Sequence, residues 1–143
     1  MIFQAHTGYH PISILIRLFS RGRFNHISIK LGEFIYEAHL KGGVMKTHER
    51  DWDDSTVVET KEVKITAVQR VAVRLWLNKQ VGKKYDLWGI FAFISFFAKP
   101  RMGYWYCSEY ATVALAKALD KKTLLEKQKI SPETFWEILN LVV

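Results

Sequence analysis

Strand-like alternation fills the first half of the chain and helical spacing fills the second. This segregation is the strongest constraint on the fold. Phe24, His26, Ser28 and Lys30 alternate with Asn25, Ile27, Ile29 and Leu31, which predicts a strand with one apolar face. Leu31-Gly32-Glu33 offers a turn, and residues 34–40 read as the returning strand. Gly42-Gly43 starts another turn before a strand over 44–47. Residues 56–65 are rich in β-branched side chains and predict one more. A short first strand over 2–5 precedes all of these. Between it and the hairpin, Pro11 opens a segment with Ile12, Leu15, Ile16 and Phe19 at helical spacing.

Helical signals begin at Thr66-Ala-Val-Gln69. That is the capping-box pattern, with Thr66 as N-cap and Gln69 reaching back. The helix it opens is expected to bury Val68, Val71, Ala72, Leu75 and Trp76, and Gly82 is a natural stop. A second helix is expected over 87–98, ended by Lys99-Pro100. A third starts near Cys107 with Ala111, Ala114, Leu115 and Ala118 on one face. Ser131-Pro132 pairs an N-cap with proline at the first helical position and opens a last helix through Trp136. This order predicts an α+β fold, with a mainly antiparallel sheet packed against helices. At 143 residues the chain reads as one domain over 1–143, long enough to bury a core.

The net charge of +7 favours an anionic partner, and nucleic acid, an anionic membrane or an acidic polymer all satisfy it. Arg17, Arg21 and Arg23 form a basic cluster, with Lys83-Lys84 further on, but no recognised nucleic-acid motif accompanies them. The longest apolar run, 87–98, is shorter than the roughly 20 residues that a spanning helix needs, so no transmembrane segment is expected. Residues 1–8 lack a basic region followed by an apolar core, so the expectation is no signal peptide and cytoplasmic synthesis, with peripheral association with the envelope left open. His6, His10, His39 and His48 form no pair at metal-ligand spacing, and no metal or cofactor is expected.

One cysteine, Cys107, rules out an intrachain disulfide and fits a reducing compartment. It stands at the expected start of a helix, where backbone donors and the helix dipole favour a thiolate. His26 lies in the first hairpin strand and Glu37 in the second. A two-residue loop at Leu31-Gly32 sets His26 opposite Glu37; one at Gly32-Glu33 sets Ser28 opposite Glu37, with His26 on the same face. A three-residue loop separates the two side chains. A thiol, an imidazole and a carboxylate are the parts of a nucleophile, its base and the base's orienter. Each also has a plain structural role: small core residue, packing histidine, solvated strand acid.

The ordered segments Leu18-Phe-Ser-Arg-Gly-Arg-Phe-Asn-His-Ile-Ser-Ile, Tyr36-Glu-Ala with Gly43-Val, Val81-Gly-Lys-Lys-Tyr-Asp, Tyr106-Cys-Ser-Glu-Tyr and Ile130-Ser-Pro-Glu-Thr-Phe run across nearly the whole chain. In that order they resemble the circularly permuted branch of NlpC-type papain-like cysteine hydrolases, the YiiX-type amidases or peptidases. The resemblance implies a papain-like fold in which the histidine strand precedes the cysteine helix. It also implies Cys107 as nucleophile, His26 as general base and Glu37 as third member. It places Tyr85 near the site, where core packing with a wet hydroxyl is the alternative role. Glu109 matches a recurrent acid after the cysteine, and stabilisation of the helix N-terminus is a sufficient role for it. Asn25 stands in place of the usual serine before the histidine, and the usual Gly-Asp-Ile-Leu opening is absent.

Three functions follow as expectations. The first is a cysteine hydrolase cleaving an amide bond, for example in a cell-wall peptide, through an acyl-enzyme. The second is a lipid-directed acyltransferase or thioesterase of the same fold at an anionic membrane, motivated by the aromatic run over 88–97 and the charge. The third is a non-catalytic basic binding module.

Overall fold

A computed structural model describes residues 1–9, 11–94, 103–121 and 130–143. Five strands form one antiparallel sheet: β1 (Ile2–His6), β2 (His26–Leu31), β3 (Phe34–His39), β4 (Gly43–His48) and β5 (Val57–Glu62), in the spatial order β4-β3-β2-β1-β5. The helices are α1 (Pro11–Ser20), α2 (Ala67–Gln80), α3 (Leu87–Ile94), α4 (Cys107–Leu119) and α5 (Pro132–Val142). The expected helix over 87–98 is helical through Ile94, and the rest of it, with Lys99-Pro100, lies outside the described residues. So do His10 and the side chains of Ile12, Leu15 and Phe19.

One sheet face is the core wall. Phe3, Ala5, Ile27, Ile29, Leu31, Tyr36, Ala38 and Val44 are buried there against Tyr110, Ala111, Ala114 and Leu115 of α4. The small side chains of α4 let the helix lie close to the strands, and Ala118 is buried with them. From the other end of the chain, α5 sets Phe135 tilted against Phe3 at 5.1 Å between ring centroids and Trp136 edge-on to Phe24 at 5.5 Å. Ser131 caps α5 by accepting the Thr134 N–H, with Pro132 in the first turn. The Thr66–Gln69 capping box is present in both directions.

The buried face of α2 is not the expected one. Val68, Val71 and Leu75 are 79%, 58% and 66% exposed, and Ala72 is exposed too. Val73, Leu77 and Gln80 are buried instead. They also stand at i, i+4 and i+7, so the sequence offers two helical stripes. Contact with α4 decides between them: Trp76, which borders the buried stripe, stacks on Tyr110 at 5.5 Å.

Gly43 opens β4 with φ of +69°, and a Cβ there would sit 2.2 Å from the Lys83 carbonyl oxygen. That carbonyl accepts the Val44 N–H at 2.8 Å and the Gly82 N–H donates to Val44 O at 2.8 Å, so backbone meets backbone with no flexible group to yield. Gly43→Ala is expected to destabilise by about 2–4 kcal/mol from the left-handed backbone and the overlap together. Denaturant unfolding measures it, and a loss comparable to a surface substitution would show that this contact relaxes freely.

Candidate active site

The site begins with hairpin register. Ser28 pairs with Glu37 and Leu31 with Phe34, so the loop is Gly32-Glu33, with Gly32 at φ +66°. Of the two loops that keep His26 and Glu37 on one face, this is the diagonal one. His26 Nε2 lies 2.9 Å from Glu37 Oε2. The other carboxylate oxygen, Oε1, accepts the Trp52 indole N–H at 3.3 Å. Trp52 follows the short 3-10 turn Glu49–Asp51, and no periodicity in that stretch marks it in advance. Only the turn's return over the sheet brings its donor to Glu37.

Cys107 arrives from the apolar side. Its helix α4 packs on β2 and β3, and the first turn abuts the start of β2, where the sulfur lies 4.0 Å from the Asn25 carbonyl oxygen. Several bonds fix that helix end. Ser108 Oγ donates to Ile130 O at 2.5 Å, and the Tyr106 hydroxyl accepts the Ile130 N–H at 3.2 Å. Just upstream, Tyr85 and Trp105 form a parallel bridge, with Asp86 N donating to Trp105 O at 3.0 Å and Trp105 N to Lys84 O at 3.2 Å. Asp86 also accepts the Gly89 N–H at 2.9 Å, which starts α3. The Gly-Lys-Lys-Tyr-Asp segment is thereby tied beside the cysteine.

The His26 ring and the backbone N–H groups of Ile27 and Ser108 lie near the thiol and favour its charged form. Because Nε2 of His26 is committed to Glu37, Nδ1 is the nitrogen left for sulfur. Burial pushes the thiol pKa up, but the imidazole and these backbone donors outweigh it and the net direction is down. For His26, burial disfavours the charged ring, yet Cys107 and Glu37 raise its pKa to about 10. Burial likewise opposes charge on Glu37, and His26, Trp52 and His39 overcome it and bring the carboxyl to about 2. The arrangement favours thiolate, imidazolium and carboxylate in series. Tyr85 lies near the same sulfur, and burial together with Cys107 raises its pKa well above the ordinary tyrosine value, so the phenol remains a donor.

The structure thus brings Cys107, His26, Glu37 and Tyr85 together. A cavity of about 520 Å³ opens on His26, Glu37, Tyr85 and Trp52, with Tyr9 and Ile16 on its far wall. Glu109 lies in the first turn of α4. It is half-buried, and burial followed by the neighbouring Asp86 carboxylate raises its pKa to about 7, which weakens it as a fixed charge for the helix dipole. Arg23 pairs with Glu59 at 3.0 Å and Glu133 at 3.4 Å, while Arg17 lies over the Tyr9 ring. Among the described residues, no group of three or more His, Cys, Asp or Glu gathers to hold a metal ion, and no helix is long and apolar enough to cross a membrane.

The charged pair leaves a signature in stability. The Glu37 pKa falls on folding from 4.5 to about 2, so its contribution is complete above about pH 4.5 and is lost as pH falls towards 2. The His26 pKa rises from 6.5 to about 10, so its contribution is complete below about 6.5 and is lost as pH rises through 10. The difference in melting temperature between wild type and Glu37→Gln is therefore expected to peak between about pH 4.5 and 6.5 and to shrink on both sides. A difference that does not vary with pH would contradict the pair.

Compared with models of known protein families, the chain matches none, and it matches no curated protein sequence.

Proposed function

We propose that the protein is a cysteine hydrolase that cleaves an amide bond through an acyl-enzyme. The observation that carries this reading is the placement of Cys107 at the start of α4 beside His26, with His26 bonded to Glu37 and both of these lining a cavity. The papain-like fold, in its circularly permuted NlpC-type form of the YiiX kind, belongs to the same proposal. It is supported by the cysteine at a helix N-terminus, the histidine at the start of a facing antiparallel strand, and the order of the motifs along the chain.

In this mechanism the Cys107 thiolate attacks the carbonyl carbon and forms the C–S bond. The developing oxyanion is met by the Tyr85 hydroxyl and by the Cys107 backbone N–H, which, at the first position of α4, has no partner within the helix. The His26 imidazolium then protonates the leaving nitrogen as the C–N bond breaks, which leaves a thioester and a neutral imidazole. That imidazole takes a proton from water. The hydroxide equivalent attacks the thioester, the C–S bond breaks, and the carboxylic acid departs with the thiolate–imidazolium pair restored. Glu37, held by Trp52, fixes the ring and stabilises its charged form throughout. A peptide or a cell-wall amide is the substrate class that the motif resemblance favours.

A second reading, acyl transfer or thioester cleavage on lipid, uses the same groups. What favours it is a set of exposed apolar side chains by the cavity: Tyr9 on its wall, Ile14 and Leu18 on α1, and Leu87 and Trp88 on α3, which packs on α1. Flotation with anionic vesicles at low salt separates the two. Co-migration with the vesicles favours the lipid reading, and protein left at the bottom of the gradient removes it.

For the hydrolase, an iodoacetamide-type probe at neutral pH is expected to label Cys107. His26→Ala is expected to slow labelling by about 10²-fold or more, within the usual range for loss of a positioned base. Labelling at the wild-type rate in a folded His26→Ala protein would count against the pair.

A further inference from the structure

His6, at the end of β1, is buried and has a polar neighbour on each ring nitrogen. Nδ1 lies 3.0 Å from Thr56 Oγ1 and Nε2 lies 2.8 Å from Ser28 Oγ. Ser28 in turn donates to Gln4 Oε1 at 3.0 Å. These bonds have a definite direction. An amide oxygen only accepts, so the Ser28 hydroxyl proton is spent on Gln4 and Ser28 Oγ must accept from His6. His6 therefore carries its proton on Nε2. Nδ1 is bare and accepts the Thr56 hydroxyl proton. A second proton on Nδ1 would require the Thr56 hydroxyl to turn its own proton away and accept instead.

The locked ring lies against the base of the candidate pair. His6 and His26 face each other across the β1–β2 ladder, with ring centroids 5.0 Å apart and planes at 60°. Trp52, which also holds Glu37, meets the His6 ring edge-on at 5.5 Å. The β1–β5 register shifts between Ala5 and His6, an irregularity of the kind that re-aims a side chain. A row of polar groups on a buried sheet face costs desolvation unless each is satisfied, and here Gln4, Ser28 and His6 are linked in sequence, with His6 reaching the exposed Thr56 at the edge.

We propose that His6 is a positioning residue: a neutral imidazole of fixed tautomer whose ring walls the His26 side chain onto the line from Cys107 to Glu37. The inference rests on the Cys107–His26 pair of the proposed function. Two imidazolium rings at this separation would repel, so a His6 that stays neutral lets His26 alone carry the charge. Burial first and His26 second hold the His6 pKa down at about 3, which is consistent with that division. The titratable groups that face His26 are His6 from β1, Glu37 and His39 from β3, and Cys107 from α4. Of these, His6 has both ring nitrogens tied to hydroxyl groups rather than to a charged partner.

Two measurements test this. Nitrogen-15 NMR of histidine-labelled protein is expected to show His6 with a protonated Nε2 and a bare Nδ1 throughout the neutral pH range. A doubly protonated His6, or one protonated on Nδ1, would overturn the proposal, and this readout needs no variant. In His6→Ala, with folding checked by thermal melting, Cys107 alkylation is expected to slow about tenfold and the alkaline limb of its pH profile to move, the scale of effect that a small misplacement of a reacting group produces. A folded His6→Ala protein with wild-type rate and profile overturns the role of His6 while leaving the pair intact. A wild-type thiol of ordinary reactivity overturns the pair itself, so the two failures are distinct.

Discussion

The contact between the first turn of α4 and the start of β2 is the constraint on which the site depends. It places a helix N-terminus, with its unpaired backbone donors, beside the first residues of a strand, and both ends are held from other directions. The Cys107 sulfur comes near the His26 ring at that contact, and the Ile27 and Ser108 N–H groups favour charge on the same atom. A slip of one residue in β2 would carry His26 to the other face of the sheet. The apolar side chains Ile27, Ile29 and Leu31 oppose such a slip, because it would take all three out of the apolar core and set them in the polar row. The packing that stabilises the fold therefore also fixes the chemistry of the site.

The polar face of the sheet depends on the same register. Gln4, Ser28 and Glu37 lie in one row across β1, β2 and β3. Ser28 is fully buried, so this face is not the solvated one that simple alternation suggests. It holds a hydrogen-bonded network closed over by Trp52. A buried polar network of this kind is costly when incomplete and specific when complete. That supports a reading in which its members are retained for the geometry they impose on His26 rather than for stability alone.

Much of this was legible in the sequence. The five strands, the capping box at Thr66, the Ser131-Pro132 start of α5 and the alanine face of α4 follow from local patterns, because capping and periodicity act over a few residues. The hairpin left two registers open, and the Gly32-Glu33 loop is the one adopted. The buried face of α2 departs from the expected one because two stripes compete on that helix, and only α4, distant in sequence, selects between them. Trp52 and the His6 network were invisible for the same reason. Their partners lie on other strands, and nothing in their own neighbourhoods requires a donor or a tautomer. His6 read only as a stray histidine weighed for metal binding.

The central claim is that Cys107 is held as a thiolate by His26. With one cysteine in the chain, the ultraviolet thiolate absorbance of wild type minus Cys107→Ser, followed as a function of pH, reports that group alone. The thiolate signal is expected to appear at lower pH than for an ordinary cysteine, whose pKa is about 8.5, and to be lost on acidification. A thiolate signal that appears only above that value would contradict it.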